Sequence, residues 1–235
     1  SMVDRGAKAR ASLERIGDRN QIFELNGHLF FGTANRLYEE VCASMAHGEI
    51  ECIVLDFRRV QSIDSSAVHS FEKIVTRCAH HEIRLVVTGL PEGLRQASGL
   101  KAAIEHGSAT AFGEVDEGME WAEDYLLRQL PDEDRAPNPE FFTLFEACAG
   151  PFAQRRVLED GYELVTAGAE PNGYYMVEAG QLSVTVPSAT GRGFRIRTVG
   201  TGSLVGEVGY YTGAARTATV AAKGPCTVLH LAKST

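Results

Sequence analysis

The segment Pro131-Asp132-Glu133-Asp134-Arg135-Ala136-Pro137-Asn138-Pro139 constrains the fold more than any other, because three prolines and a charge cluster fall within nine residues. Proline fixes φ and removes a backbone donor, so neither a helix nor a strand runs through such a stretch. It separates two regions with different periods. Upstream, helical and strand-length patterns alternate. Gln21–Asn26 and His28–Phe31 read as short strands, and Ala34, Leu37, Tyr38, Val41 and Met45 form the stripe of an amphipathic helix. Cys52–Phe57 suits a buried central strand, and Val68, Phe71, Ile74, Val75 and Cys78 make a second helical stripe. Arg84–Thr88 is strand-like, Gly89-Leu90-Pro91 leads into a helix with proline at its start, and a short strand near Thr110–Phe112 precedes a helix over Asp116–Leu130 that turns Met119, Ala122 and Leu126 inward. This order predicts an α/β layer with a mixed sheet.

Downstream, Glu140–Cys148 reads as a short helix, and then the period drops to two. Tyr174–Val177, Leu182–Val186, Phe194–Val199, Thr217–Ala221 and Thr227–Leu231 are strand-like runs between glycine turns, with Thr190-Gly191-Arg192-Gly193 as a hairpin signal. A chain of 235 residues accommodates two domains of ordinary size. The expected boundaries are 18–130 for the first domain, 131–139 for the linker and 140–235 for a β-rich second domain. The expected class is thus a two-domain α+β or α/β chain, with a mixed sheet and helices followed by a β-roll.

Composition narrows the function. The formal charge of −8 argues against a nucleic-acid partner, which calls for a basic face. Nine acids between Glu114 and Asp134, against Arg128 alone, account for the excess and read as a solvated helix face running into the linker. Cys42, Cys52, Cys78, Cys148 and Cys226 are widely spaced, without a C-x-x-C pair, and read as reduced buried thiols. His80-His81 has no ligand set around it, so no metal site is expected. No apolar run approaches the ~20 residues of a membrane helix. Val3–Lys8 is too charged for a signal peptide, and Ser1-Met2 reads as a cleavage scar on a piece of a longer protein.

Two stretches carry chemistry. Gly206-Glu207-Val208-Gly209 is followed, after a loop, by Arg216-Thr217-Ala218. A glycine-flanked short helix can turn unpaired amides toward an anion, and an arginine adds a permanently charged fork. The Glu207 carboxylate can accept from a ligand hydroxyl. The stretch resembles the phosphate-binding cassette of the cyclic-nucleotide-binding domain family. Gly168, Tyr175-Met176-Val177, Gly180 and Gly200-Thr201-Gly202-Ser203 resemble the strands and turns before it. The resemblance covers about 80 residues and implies a jelly-roll β-roll that takes cAMP or cGMP. Arg216 would hold the phosphate and Glu207 the ribose hydroxyl, with Gly206, Val208, Gly209, Thr217 and Ala218 around the ligand. Thr217 does not choose the base. Val205 stands where many relatives have Phe, and Ala215 where Pro is common. The sequence ends at Thr235, where the family places helices that cap the base. A Glu207–Arg216 ion pair would instead close the cradle in a roll that binds nothing.

The second stretch is Ile53-Val54-Leu55-Asp56-Phe57 with Ile63-Asp64-Ser65-Ser66-Ala67-Val68 opening a helix. Asp64, Ser65 and Ser66 suit a helix N-cap. The arrangement resembles the STAS domain, over roughly residues 20–130. In anti-sigma-factor antagonists of that family the second serine is phosphorylated, which corresponds to Ser66. A phosphate there would meet a positive helix end but also Asp56 and Asp64. Gly27-His28-Leu29-Phe30-Phe31-Gly32-Thr33-Ala34 resembles the segment typical of SulP-family sulfate/anion transporters, with Phe30-Phe31 expected in a core strand. The resemblance implies a cytoplasmic regulatory region at the inner membrane, whose partner is the transmembrane transport domain of the same parent chain. A soluble switch acting through phosphorylated Ser66 is the alternative. Catalysis is not expected: Asp64, Ser65, Ser66 and His69 lack triad spacing, and no oxyanion-hole glycines follow.

Overall fold

A computed structural model describes residues 3–4, 7–131, 143, 145, 147, 152–187 and 193–232. The chain divides into two compact units, one spanning Ser12–Leu130 and the other combining Met2–Ala11 with Pro131–Thr235. The expected linker, apart from Pro131, and most of Glu140–Cys148 lie outside the described residues; Thr143, Phe145 and Ala147 are helical.

After β1 (Val3–Asp4) and α1 (Ala7–Ile16), the first unit runs β2 (Asn20–Leu29), α2 (Phe31–His47), β3 (Cys52–Ile63), α3 (Ser65–His80), β4 (Arg84–Thr88), α4 (Glu92–Arg95), α5 (Ser98–Glu105), β5 (Ala109–Phe112) and α6 (Val115–Gln129). The sheet order is β2-β3-β4-β5, and every neighbouring pair is parallel. This differs from the mixed sheet expected, because the two short strands read at 21–26 and 28–31 are one. Gly27, at φ +80°, lets β2 continue through a register shift instead of reversing. Helical crossovers then join parallel neighbours. The first half of β3, Cys52–Phe57, is buried on both faces, as its largely apolar run requires. Ile53, Leu55 and Phe57 pack with Phe71 and Ile74 of α3, while Cys52 and Val54 pack with Ala122 and, at the margin, Trp121 and Tyr125 of α6.

Three details depart from the sequence reading. Phe30 and Phe31 are not core strand: α2 begins at Phe31, and the two rings are 52% and 61% exposed. The Phe30 N–H donates to Thr33 Oγ1 at 3.0 Å, and this local bond turns the chain out of β2. Pro91 caps α4 from outside the helix rather than occupying its first position. In the acidic helix, Glu120 is buried, with 3% of its surface exposed. The thiols of Cys52, Cys78 and Cys226 are buried and free, and that of Cys42 is free and half-buried; Cys148 lies outside the described residues. Burial, reinforced by the neighbouring Cys78, pushes Cys52 up to about 12; burial does the same to Cys78.

The second unit contains β6 (Ala153–Leu158), β7 (Glu163–Val165), β8 (Gly173–Val186), β9 (Phe194–Gly200), β10 (Leu204–Val205), α7 (Glu207–Thr212) and β11 (Thr219–Ala232). The sheet order is β1-β9-β8-β11-β6, with β10 on β8 and β7 on β11. All pairs are antiparallel except β1–β9. This is the jelly-roll-like β-roll anticipated from the period-two pattern. The five expected runs condense into three strands, since Tyr174–Val177 and Leu182–Val186 are both in β8, and β11 holds Thr227–Leu231 together with most of Thr217–Ala221. The reason is Gly180. At φ +85° it lies so close to β11 that a Cβ would stand 2.5 Å from the Pro225 carbonyl oxygen, opposite the register shift between Lys223 and Thr227. The glycine makes a bulge where a turn was expected. Leu182, Val184, Val199, Val220 and Val228 fill the core on the inner face.

Candidate functional site

The cleft of the second unit begins with two glycines. Gly206 holds φ +82° at the N-cap of α7, and Gly209 is buried within that helix. A Cβ on Gly206 would fall 2.6 Å from Arg216 Nη1, and one on Gly209 would fall 3.3 Å from the same atom. Both glycines are therefore small because the guanidinium lies against them. Arg216 is 6% exposed. It donates from Nη1 to the Gly206 carbonyl at 2.6 Å, and from Nη2 to the Gly173 carbonyl at 2.6 Å and to Asn172 Oδ1 at 3.2 Å. These bonds use three of the five N–H groups of a guanidinium and leave two for another acceptor. All three acceptors are neutral. Among the described residues no carboxylate pairs with Arg216, so the Glu207–Arg216 ion pair that would close the cradle is not formed. A buried cation satisfied only by dipoles is poised for an anion.

Gly206, Glu207, Val208, Gly209, Arg216, Thr217 and Ala218 all line one cleft of about 160 Å³. Glu207 stands at the first position of α7, Val208 is 57% exposed, and Ala218 packs against the core. Helix α7 has only six residues, so an anion in the cleft would be held by Arg216 rather than by the helix end. Sequence reasoning did not find Asn172 and Gly173, which fix Arg216 from more than 40 residues away; nothing local marks them. It also missed Arg197, a third charged group lining the cleft, although its period-two spacing from Val199 was readable.

Behind Gly173 stands His230, 5% exposed, stacked on Tyr175 at 4.5 Å between ring centroids. Its Nδ1 accepts from Arg156 Nη2 at 3.2 Å. Burial, with the positive Arg156 and Arg216 nearby, holds its pKa below the ordinary histidine value.

In the first unit, Ser66 lies in the first turn of α3. Its hydroxyl donates to Asp64 Oδ1 at 2.6 Å, and the Ala67 N–H donates to the same oxygen at 2.7 Å. These bonds hold Asp64 below the usual carboxylate range. The Asp64 N–H donates to the Leu29 carbonyl at 3.1 Å, which ties the start of α3 to the end of β2, beside Phe30 and Phe31. Asp56 is engaged elsewhere: it is 3% exposed and accepts from Arg58 Nε at 3.0 Å, Arg58 Nη2 at 3.0 Å and Thr88 Oγ1 at 2.9 Å. Burial alone would raise its pKa, but the Arg58 and Thr88 bonds hold it below the usual value. No helix among the described residues is long and apolar enough to cross a membrane.

Residues 12–115 match the STAS domain, and residues 155–235 match the Cyclic nucleotide-binding domain. No curated protein matches the chain. Among solved structures, the chain is similar to the N-terminal domain of a transcriptional regulator from Streptomyces coelicolor A3(2), with 26% identity and a TM-score of 0.35 over 41% of this chain and 66% of that one. It is similar to the Thermus thermophilus Catabolite Activator Protein, with 24% identity and a TM-score of 0.36 over 40% of this chain and 43% of that one. A third is the regulatory subunit of a cAMP-independent protein kinase A from Trypanosoma brucei, with 21% identity and a TM-score of 0.38 over 41% of this chain and 37% of that one. The chain thus spans less than two thirds of the length of each. It carries a STAS domain followed by a cyclic nucleotide-binding domain.

Proposed function

We propose that this chain is a regulatory sensor whose β-roll binds a cyclic nucleotide through its phosphate at Arg216, with the STAS unit passing the signal to a partner. The observation that carries the reading is the buried Arg216 guanidinium, held by three neutral acceptors with two N–H groups left over and paired with no carboxylate among the described residues. Glu207, lining the same cleft, is the acceptor for the ribose 2′-hydroxyl, a role that explains an acid next to an anion site. Calorimetry and thermal unfolding of the chain with cAMP and with cGMP test this. Binding raises stability by mass action, by about 2.7 kcal/mol at a hundred times Kd, and Arg216→Ala abolishes both heat and shift. Absence of heat and of any thermal shift with both nucleotides at millimolar concentration overturns the reading.

The partner in this reading is the transmembrane transport domain of a SulP-family sulfate/anion transporter, with the chain at the cytoplasmic face of the inner membrane. Its support is the Gly27–Ala34 segment, together with the exposure of Phe30 and Phe31 next to the Asp64 turn. Adjacent exposed aromatic rings offer an apolar surface for such a partner to cover. The reading frame upstream of Val3 tests it: repeated apolar segments of ~20 residues support the transporter. Their absence overturns it in favour of a soluble switch acting through Ser66.

A further inference from the structure

One short segment, Asn172–Gly173, touches two buried ionisable side chains. It gives Arg216 two of its three acceptors, Asn172 Oδ1 and the Gly173 carbonyl. A Cβ on Gly173 would stand 2.7 Å from His230 Nε2, so the imidazole packs against the same backbone. On β11, His230 shares a face with the core residue Val228, and it pairs with Tyr175 of β8 and Gln154 of β6. Its tautomer follows from Arg156. A guanidinium only donates, so the bond from Arg156 Nη2 leaves Nδ1 as the acceptor and puts the proton of the neutral ring on Nε2. That Nε2 is buried and has no hydrogen-bond partner among the described residues. A second proton can enter only at Nδ1, where it meets the Arg156 N–H. The charged groups that act on the ring are Arg156, from β6, and Arg216, from the loop before β11; both are positive and oppose its protonation.

We propose that His230 couples the cleft to pH, so that an anion enters together with a proton and ligand binds more tightly as pH falls. The inference rests on the cyclic-nucleotide reading above. A phosphate on Arg216 cancels one of the two positive charges that keep the imidazole neutral, and the ring then accepts a proton more readily than in the empty cleft. Linkage is reciprocal, so a protonated His230 strengthens the hold on the phosphate by the same factor. The sign is fixed by the empty cleft, where His230 titrates below its ordinary value of about 6.5. Occupancy raises that value. The gain in affinity is therefore absent above the bound value and complete below the free one.

Calorimetric titration of the whole chain with cAMP and with cGMP, between about pH 8 and about pH 5.5, tests this. A cyclic phosphodiester keeps its single charge across that range. Affinity should rise at least about fivefold on the acid side, and binding heats measured near the midpoint in two buffers of different ionisation enthalpy should show proton uptake. His230→Gln offers an acceptor to Arg156 and a donor in place of Nε2–H but does not titrate. It should bind as the native chain does at about pH 8 and show a flat profile. A slope carried by Glu207 would persist in that variant. Arg156→Gln removes one opposing charge without touching the cleft and moves the rise in affinity to higher pH; it decides the matter if His230→Gln does not fold. A flat native profile, a slope that survives in folded His230→Gln, or a profile unmoved by Arg156→Gln overturns the role of His230 and leaves nucleotide binding standing. Failure of both nucleotides to bind the native chain at every pH overturns both.

Discussion

Replacing Gly206 by alanine separates the two demands that the cradle makes on its backbone. Gly206 and Gly213 cap opposite ends of α7, at φ +82° and +69°, so alanine at either position adopts a left-handed conformation. That conformation costs about 1–2 kcal/mol. Around Gly213 an added Cβ meets nothing within 4 Å, whereas at Gly206 it stands 2.6 Å from Arg216 Nη1. Gly206→Ala therefore also displaces the guanidinium from the Gly206 carbonyl, a bond to a charged donor worth about 1.5–3 kcal/mol. The loss of unfolded-state freedom on going from glycine to alanine is common to both variants and cancels in their difference. Gly206→Ala is thus expected to destabilise the roll by roughly 2 kcal/mol more than Gly213→Ala, or about 10 °C in Tm for a unit of this size. Differential scanning calorimetry on the whole chain reads the effect. Fluorescence of Trp121, the single tryptophan, identifies the transition of the first unit, which stays in place for both variants. Equal shifts for the two alanines would show that Arg216 is not seated against Gly206, and the reading of the cradle would fail with it.

Two further predictions concern pH. Asp56 has a folded pKa below its unfolded value of about 4, so the stability it contributes is present above pH 4 and is lost as pH falls through the folded pKa; Asp56→Asn should flatten the acid limb of the Trp121 unfolding curve, and an unchanged limb refutes the assignment. His230 is held neutral, so its unfolded form binds protons first and the roll should lose stability as pH falls below about 6.5. His230→Gln removes that slope from the calorimetric transition of the roll, and a slope that persists places its origin in another group.

Much of the fold was legible because local pattern and tertiary environment agree. Arg84–Thr88 is a strand over the residues expected, since its apolar run is short, bounded by a glycine turn and buried on both faces. The amphipathic stripes of α2 and α3 likewise mark their buried sides. Gly27 and Gly180 misled because a glycine at positive φ serves a turn and a bulge equally well, and the choice depends on what lies across the sheet. Phe30-Phe31 misled because two aromatic rings after a strand look like more strand, whereas a single hydroxyl at Thr33 starts the helix. At the site, Gly206, Glu207 and Arg216 are close in sequence and readable together. The acceptors that orient Arg216, at Asn172 and Gly173, come from the start of β8 and are set by topology alone. Arg197 lay between these cases, its inward position readable from alternation but its company in the cleft visible only once β8 and β9 are paired.

The three bonds that pin Arg216 also shape the time course of any encounter at the cleft. A long side chain free to wander would have to be captured in its productive rotamer, and the observed rate would level off at high ligand concentration. Here the guanidinium is already seated by the carbonyls of Gly206 and Gly173 and by Asn172. An arriving anion finds its partner in place, and little ordering entropy remains to be lost. Stopped-flow traces should accordingly be single exponentials whose rate climbs linearly with ligand, so that differences in affinity among ligands reside in how fast they leave.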